Sequence, residues 1–457
     1  MKYILCLALL TSCAIGPTYR RPQVATPCTF ECNDNRSEPW VCWWKELNDP
    51  QLDCLIQRAL SCNFDLKIAT SKAQTLRGKY IMTQSLLWPW MNAGFNPARW
   101  ELSNDFPFLT VSDQFNTFDL FFDASWEIDL FGKNRRLAQA SFANFQAQIE
   151  YAKHVKISLI SEMARTYIDL RSFQKQLANA RETKQIQQDL YQLVADRVSQ
   201  NISSEMQLSK AAQQLYKTEA TIPILEKAIA ESINGIALIV SELPGDLVCE
   251  LSKSCALPTL PSCLPVGIPS SLLCRRPDIL EAEKKLEAAV AQTGYSIADF
   301  FPVFDVTANL GYFSTQLGSL LSGANINKIF AGGILFPLFH GGELIGQYKA
   351  AKAEQCEALY NYASVVLKSF HDVDNAITAY RKEQDHYTML QKVSMDQEAN
   401  SKRMCALFEQ GLEDKSEVLR QRLAQIEIEN DEINSYTKRL NYFIALYKAL
   451  GGGWESL

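Results

Sequence analysis

Apolar side chains recur every three to four residues along most of the chain, and in a few short stretches the period drops to two. The clearest change falls between Leu264 and Ser314. Arg275-Arg276-Pro277-Asp278 opens a predicted helix, because Pro277 suits a first turn whose N–H groups have no helical partner. Carboxylates at Asp278, Glu281 and Glu283 favour the positive end of the helix dipole. Ala282, Leu286, Ala289 and Val290 then follow at helical spacing, and Pro302 stops the helix. From Val303 the residues alternate. Phe304, Val306, Ala308, Leu310 and Tyr312 point one way, and Asp305, Thr307 and Asn309 the other. That pattern predicts a strand with one apolar and one wet face.

The same order of elements occurs earlier in the chain. Asp65-Leu66 and Ala69 match Asp278-Ile279 and Ala282 at an offset of 213, and Leu87-Trp88-Pro89 matches Phe300-Phe301-Pro302 at the same offset. Asp129-Leu130-Phe131 matches Pro337-Leu338-Phe339 at 208, and Gln200-Asn201 matches Gln410-Gly411 at 210. Matches in one order at nearly one offset indicate an internal duplication. Each half reads as helix, two strands, long helix, turn, helix. In the first half Phe118, Leu120, Phe122, Ala124, Trp126 and Ile128 alternate with Asp119, Asp123, Ser125, Glu127 and Asp129; Phe121 alone breaks the pattern.

Two stretches without Gly or Pro, Lys133 to Ile222 and Gln347 to Gln410, predict very long helices. Sixty-four helical residues would run about 96 Å, well beyond an ordinary globular helix. Ile433, Tyr436, Leu440, Phe443, Tyr447 and Leu450 alternate three and four apart, the seam of a left-handed coiled coil. Turns at Gln200-Asn201-Ile202-Ser203 and Gln410-Gly411-Leu412 fold the long helices into hairpins. Gly235, Pro244 and Gly245 are expected to close the first half, and Gly451-Gly452-Gly453 the second. Between Leu52 and Leu87 a helix is expected, broken at Ser61-Cys62-Asn63, and the aromatic-rich Trp40–Leu47 reads as a docking segment.

No run of about 18 apolar residues exists, so any membrane span must use strands. The four predicted strands, at about ten residues each, are long enough to cross a bilayer when tilted. Four strands cannot close a barrel, and an open edge in lipid leaves backbone groups unpaired at several kcal/mol each. A membrane barrel would therefore be shared between chains.

The N-terminus reads as an export signal, with Lys2 as its charged region and Ile4 to Leu10 as its apolar one. Leu10-Thr11-Ser12-Cys13 then resembles a bacterial lipobox, which makes Cys13 the lipidated first mature residue. The net charge of −6, with no basic patch, argues against nucleic acid as a partner. Among the 13 cysteines, Cys28, Cys32, Cys42, Cys54 and Cys62 form one group and Cys249, Cys255, Cys263 and Cys274 another. An exported chain can form disulfides. No CxxC pair and only four His argue against zinc, and spacing leaves the connectivity open. No nucleophile, phosphate-loop or metalloprotease motif is present, so neither an enzyme nor a cofactor is expected.

Five segments resemble the outer-membrane efflux duct family typified by TolC, in its lipoprotein branch with OprM and NodT. They are Cys13–Pro17 with Tyr19, Arg21 and Pro22; Leu272-Leu273 with Arg275–Asp278; Phe300–Pro302; Pro337–Phe339; and Leu446–Trp454. The resemblance implies a mainly α protomer with a transmembrane β-barrel. Three such chains would supply a 12-stranded barrel and a periplasmic cylinder of coiled-coil hairpins. It also implies a passive exit duct in the outer membrane. Its partners would be two further copies, membrane lipid, a periplasmic adaptor and an inner-membrane pump. Protein secretion and a structural envelope spacer are the alternative roles. The expected organisation is a signal at 1–12, a lipid-anchored tether at 13–50, a first repeat at 51–245, a linker at 246–274 and a second repeat at 275–457.

The resemblance also places functional residues. Asp119, Asp123, Glu127, Asp305 and Asn309 would face the barrel lumen. The family's acidic aperture positions fall on Arg420 and Gln207, so both acidic groups are missing. Glu417, three residues before Arg420 on the same helical face, or Asp414 is expected to pair with it. The two cysteine groups would meet around the middle of the helical cylinder, with at least one disulfide between them.

Overall fold

The computed structural model describes residues 14–23, 40–101, 114–261 and 272–454. A 3₁₀ turn at Trp43–Leu47 is followed by α1 (Pro50–Cys62), α2 (Phe64–Ser85), β1 (Trp90–Glu101), β2 (Gln114–Ile128), α3 (Lys133–Ser199), α4 (Glu205–Val240) and α5 (Val248–Leu251). The second half runs through α6 (Leu272–Arg275), α7 (Pro277–Ala298), β3 (Val303–Ser314), β4 (Ile326–Leu335), α8 (Glu343–Glu409) and α9 (Lys415–Ala449). The duplication is plain in these elements. The helices α2 and α7 have 22 residues each, α3 and α8 have 67 each, and α4 and α9 have 36 and 35.

Local chemistry sets most boundaries. Asp49 caps α1 by accepting from the Gln51 and Leu52 amides. Asn63 divides α1 from α2: its Oδ1 accepts from the Leu66 amide at 3.1 Å, while its Nδ2 donates to the Ile239 carbonyl at 2.9 Å. Asn201 and Gly411 take positive φ values of 56° and 74° at the two hairpin turns. Gly235 departs from its expected role. It lies inside α4 and does not end a helix; a Cβ there would make ordinary contact with Thr166 Cγ2 at 3.4 Å. Pro223 also lies inside α4, which continues to Ser241 as its left-handed C-cap.

Two compact units cut across the repeats. The first holds Ser71–Ile149 and Glu281–Ala363 with the described residues up to Gln23; the second holds the rest. In the first unit the strands form one antiparallel sheet in the order β1-β2-β3-β4. Within the described residues β1 and β4 are its edges, and β4 is exposed along its full length.

In the second unit the aromatic docking segment enters a core. Trp43 and Leu47 are completely buried, together with Leu52, Leu55, Ile160, Met163 and Tyr447. Trp43 meets Phe443 edge-on and stacks on Tyr447, at ring separations of 5.8 and 6.0 Å. The coiled-coil seam predicted in α9 is buried at Ile433, Leu440, Phe443 and Tyr447. Gly451, at φ +72°, ends it: a Cβ there would meet Arg276 Cα at 3.1 Å.

Candidate functional site

Strand register sorts the sheet into two faces, because residues directly opposite one another share a face. Asp119 lies opposite Asn96 and Phe313, Asp123 opposite Asn92 and Asn309, and Glu127 opposite Asp305. All five polar strand residues predicted from the sequence therefore share one face. The other face carries Phe122 opposite Ala93 and Leu310, and Leu120 opposite Phe95 and Tyr312. Leu310 in turn faces Lys328, and Ala308 faces Phe330. Phe122 is 61% exposed and Phe330 82% exposed, so among the described residues no protein layer covers this apolar face. Phe121 breaks the alternation for a steric reason. Its ring lies over Gly94, where a Cβ would come within 2.5 Å, and its own Cβ lies beside Gly311. Two missing side chains make room for the aromatic ring on the polar face.

The hairpin turns in the second unit bring the expected aperture residues into one region. A cleft of about 560 Å³ is lined by Arg197, Ser203, Gln207, Lys210, Ser416 and Arg420. Arg420 pairs with Glu417 one turn earlier. Asp414 is held by Arg197 instead, and also accepts from the Ser416 hydroxyl at 2.8 Å. The Arg197 hydrogen bond, followed by that of Ser416, holds the Asp414 carboxyl below its usual range. Gln207 accepts from the Ser203 hydroxyl.

Above this pair, α3 and α9 run antiparallel through a ladder of polar contacts. Arg422 bonds Glu182 at 2.7 Å, Asn179 donates to Asn430 at 2.9 Å, and Gln176 donates to Asn434 at 2.9 Å. Thr437 donates to Ser172 at 2.9 Å, and Asn441 donates to Asp169 at 3.0 Å. Neither the Arg197–Asp414 pair nor this ladder was visible in the sequence. Arg197 and Asp414 are 217 residues apart, and polar residues on a long helix otherwise read as a solvated face.

Cys13 lies outside the described residues, but the segment after it is firmly held in the first unit. The Ile15 amide donates to the Phe131 carbonyl at 3.0 Å, and Arg136 donates to the carbonyls of Ile15 and Gly16, both at 3.2 Å. Tyr19 donates to Glu283 at 3.2 Å, and Arg21 pairs with the same carboxylate at 2.9 Å. A side chain at Gly132 would collide with Ala14, its Cβ falling 2.9 Å from the Ala14 Cα.

The family model for outer membrane efflux proteins matches residues 55–241 and again 268–452. The chain belongs to the outer membrane efflux protein family. The two matched stretches begin 213 residues apart, the offset between Asp65 and Asp278. Among relatives, the cation efflux system protein CusC of Escherichia coli O157:H7 is 28% identical over 460 residues, covering 98% of each chain. The probable outer membrane lipoprotein SilC of Salmonella typhimurium is 28% identical over 461 residues, covering 98% of this chain and 97% of its own. The solved outer-membrane channel OprN superposes with a TM-score of 0.87 at 27% identity, covering 97% of this chain and 100% of its own.

Cys42, Cys54, Cys62, Cys249, Cys255, Cys356 and Cys405 are free thiols, and all but Cys42 are exposed. Cys274 is also exposed, at the end of the described linker, while Cys28, Cys32 and Cys263 lie outside the described residues. Arg58, between Cys54 and Cys62 in sequence, pairs with Glu250, next to Cys249, at 3.0 Å.

Proposed function

We propose that this efflux protein is one third of an outer-membrane exit duct. Three chains close their four-stranded sheets into a barrel, and their long hairpins form the periplasmic conduit. It is a passive conduit with no catalytic step of its own; an inner-membrane pump and a periplasmic adaptor supply energy and substrate. The observation that carries this reading is the two-faced sheet with unpaired edge strands. A polar face with several carboxylates suits a water-filled lumen, an uncovered apolar face suits lipid, and open edges require partners in a bilayer. Membrane-extracted protein should run as a trimer by native mass spectrometry and conduct ions in planar bilayers. A monomer that forms no pore would end the proposal.

The periplasmic aperture is assigned to Arg420 with Glu417, Asp414 and Gln207. Three Arg420 groups around one narrow axis would repel, and low local dielectric strengthens that repulsion. Glu417 offsets it within each chain, while Arg197 ties Asp414 across the two hairpins. Arg420→Asp should raise cation selectivity and change single-channel conductance. Wild-type values for both would remove Arg420 from the aperture.

The anchor is assigned to Cys13. The described segment that follows Cys13 in sequence is held at the end of β2, the Ile15 amide donating to the Phe131 carbonyl. Labelled palmitate should enter the wild-type protein and not Cys13→Ser. Equal labelling of both would refute the assignment. The variant should keep part of its membrane association, because the barrel also holds the protein in the bilayer.

A further inference from the structure

The polar face of the sheet changes character along its length. Towards the helices it carries Ser125 opposite Thr307 and Asp123 opposite Asn309, and Trp90 is the one aromatic there among the paired residues. Towards the other end it turns aromatic. Trp100 lies opposite Phe115, and Phe313 lies opposite Asp119. Odd-numbered positions of β2 share one face, so all of these stand on the side of the carboxylates. β1 begins after α2, β3 begins after α7, and β2 runs on towards α3. The aromatic ends are therefore the strand ends remote from the helices, which in the exit-duct reading open to the outside.

The rings are held in place but left uncovered. Trp100 Nε1 donates to Thr117 Oγ1 at 3.0 Å, and its indole stacks on Phe115 at a ring separation of 6.4 Å, with the planes 18° apart. Trp100 nevertheless stays 50% exposed and Phe313 49% exposed. A wall that met only water would gain nothing from these apolar surfaces. The charge on the same face has one sign. Asp119, Asp123, Glu127 and Asp305 lie on it, whereas Arg99 and Lys328, opposite Asn116 and Leu310, lie on the other face. Among the paired strand residues the polar face thus carries carboxylates and no Lys or Arg.

We propose that the outer end of the lumen is a binding site for planar aromatic cations. The site rests on the exit-duct reading, which supplies the lumen. Aromatic faces attract a cation through their quadrupole, and a flat cation can also stack on them. Asp119, level with Phe313, supplies the full negative charge. Phe115 lies four residues of β2 beyond Asp119, about 14 Å along the strand, so a molecule leaving the duct passes two aromatic layers with the carboxylate at the inner one. A neutral aromatic would lack the charge contact, a small aliphatic cation would lack the stacking, and an aromatic anion would be repelled.

Single-channel recording on the full-length protein in planar bilayers tests the site. Protein is added to one chamber, and the probe to the opposite one, which the outer strand ends face. N-methylacridinium should interrupt the current at a concentration about tenfold or more below that needed with tetramethylammonium, and 2-naphthalenesulfonate should not block. Trp100→Leu and Phe313→Leu keep an apolar side chain but lose the ring. Each should raise the half-blocking concentration of N-methylacridinium about tenfold and leave that of tetramethylammonium unchanged. Equal block by the two cations, block by the anion, or wild-type block in both leucine variants would overturn the site. The wild-type comparison decides the matter even if a variant fails to insert. Absence of any pore would overturn the exit-duct reading and the site with it; a pore without this selectivity overturns the site alone.

Discussion

Arg276→Ala should lower unfolding stability by about 3–5 kcal/mol, the usual cost of leaving one partner of a buried ion pair alone. Only 9% of the Arg276 side chain is exposed. Its guanidinium grips Asp278 through Nε at 3.0 Å and a terminal nitrogen at 2.6 Å, and donates to the Ala449 carbonyl at 2.9 Å. It therefore joins the start of α7 to the end of α9 within the second unit. Burial pushes the Asp278 carboxyl up, but the hydrogen bonds and charge of Arg276 outweigh it, helped by His154 and the Ile279 amide. The group is held below its ordinary value of 3.8. A depressed carboxylate stabilises the fold fully above its unfolded pKa and loses that contribution as pH falls through the folded pKa. Wild-type stability should thus fall below about pH 4, and Arg276→Ala should flatten that part of the acid limb. Chemical denaturation across pH checks both. A variant with wild-type stability and an unchanged acid limb would show that the pair is dispensable. Arg276→Met combined with Asp278→Leu should recover part of the loss, since it leaves no lone buried charge.

Phe122→Arg should prevent stable insertion of the barrel. Phe122 lies next to the midpoint of β2, on the apolar face and opposite Ala93 and Leu310. A cation on the lipid side near the bilayer midplane costs about 2–4 kcal/mol, and a trimer carries the substitution three times. Asp123→Asn, one residue along and on the opposite face, should insert normally. Heat-modifiable mobility on gels and carbonate-resistant membrane association report the outcome. Normal insertion of Phe122→Arg would place that face away from lipid.

Elements written into local chemistry were readable before the structure. Pro277 opens α7, Asn63 divides α1 from α2, Gly411 turns the second hairpin, and the strands announced themselves by alternation. The polar strand residues could be assigned to one face because a period of two leaves no freedom. What stayed hidden depends on partners far away in sequence. Gly235 looked like a helix end because glycine is a poor helix former, yet the apolar packing of Ile233, Ile236 and Ala237 carries α4 through it. Asp414 looked like a partner for Arg420 because proximity in sequence favoured it, whereas Arg197 lies on the other hairpin. Phe121 looked like an error in the strand pattern until Gly94 and Gly311 appeared beside it.

The bare edges of the sheet carry a genetic consequence. A chain that exposes unpaired backbone on both β1 and β4 has no stable inserted form of its own, so folding in the membrane and assembly are one event. Every barrel then samples three copies from the pool. If half the pool carries a change that spoils one seam, only about one assembly in eight is built wholly from intact chains. A defective allele expressed beside the normal one should therefore act dominantly, suppressing export far more than its share of the protein.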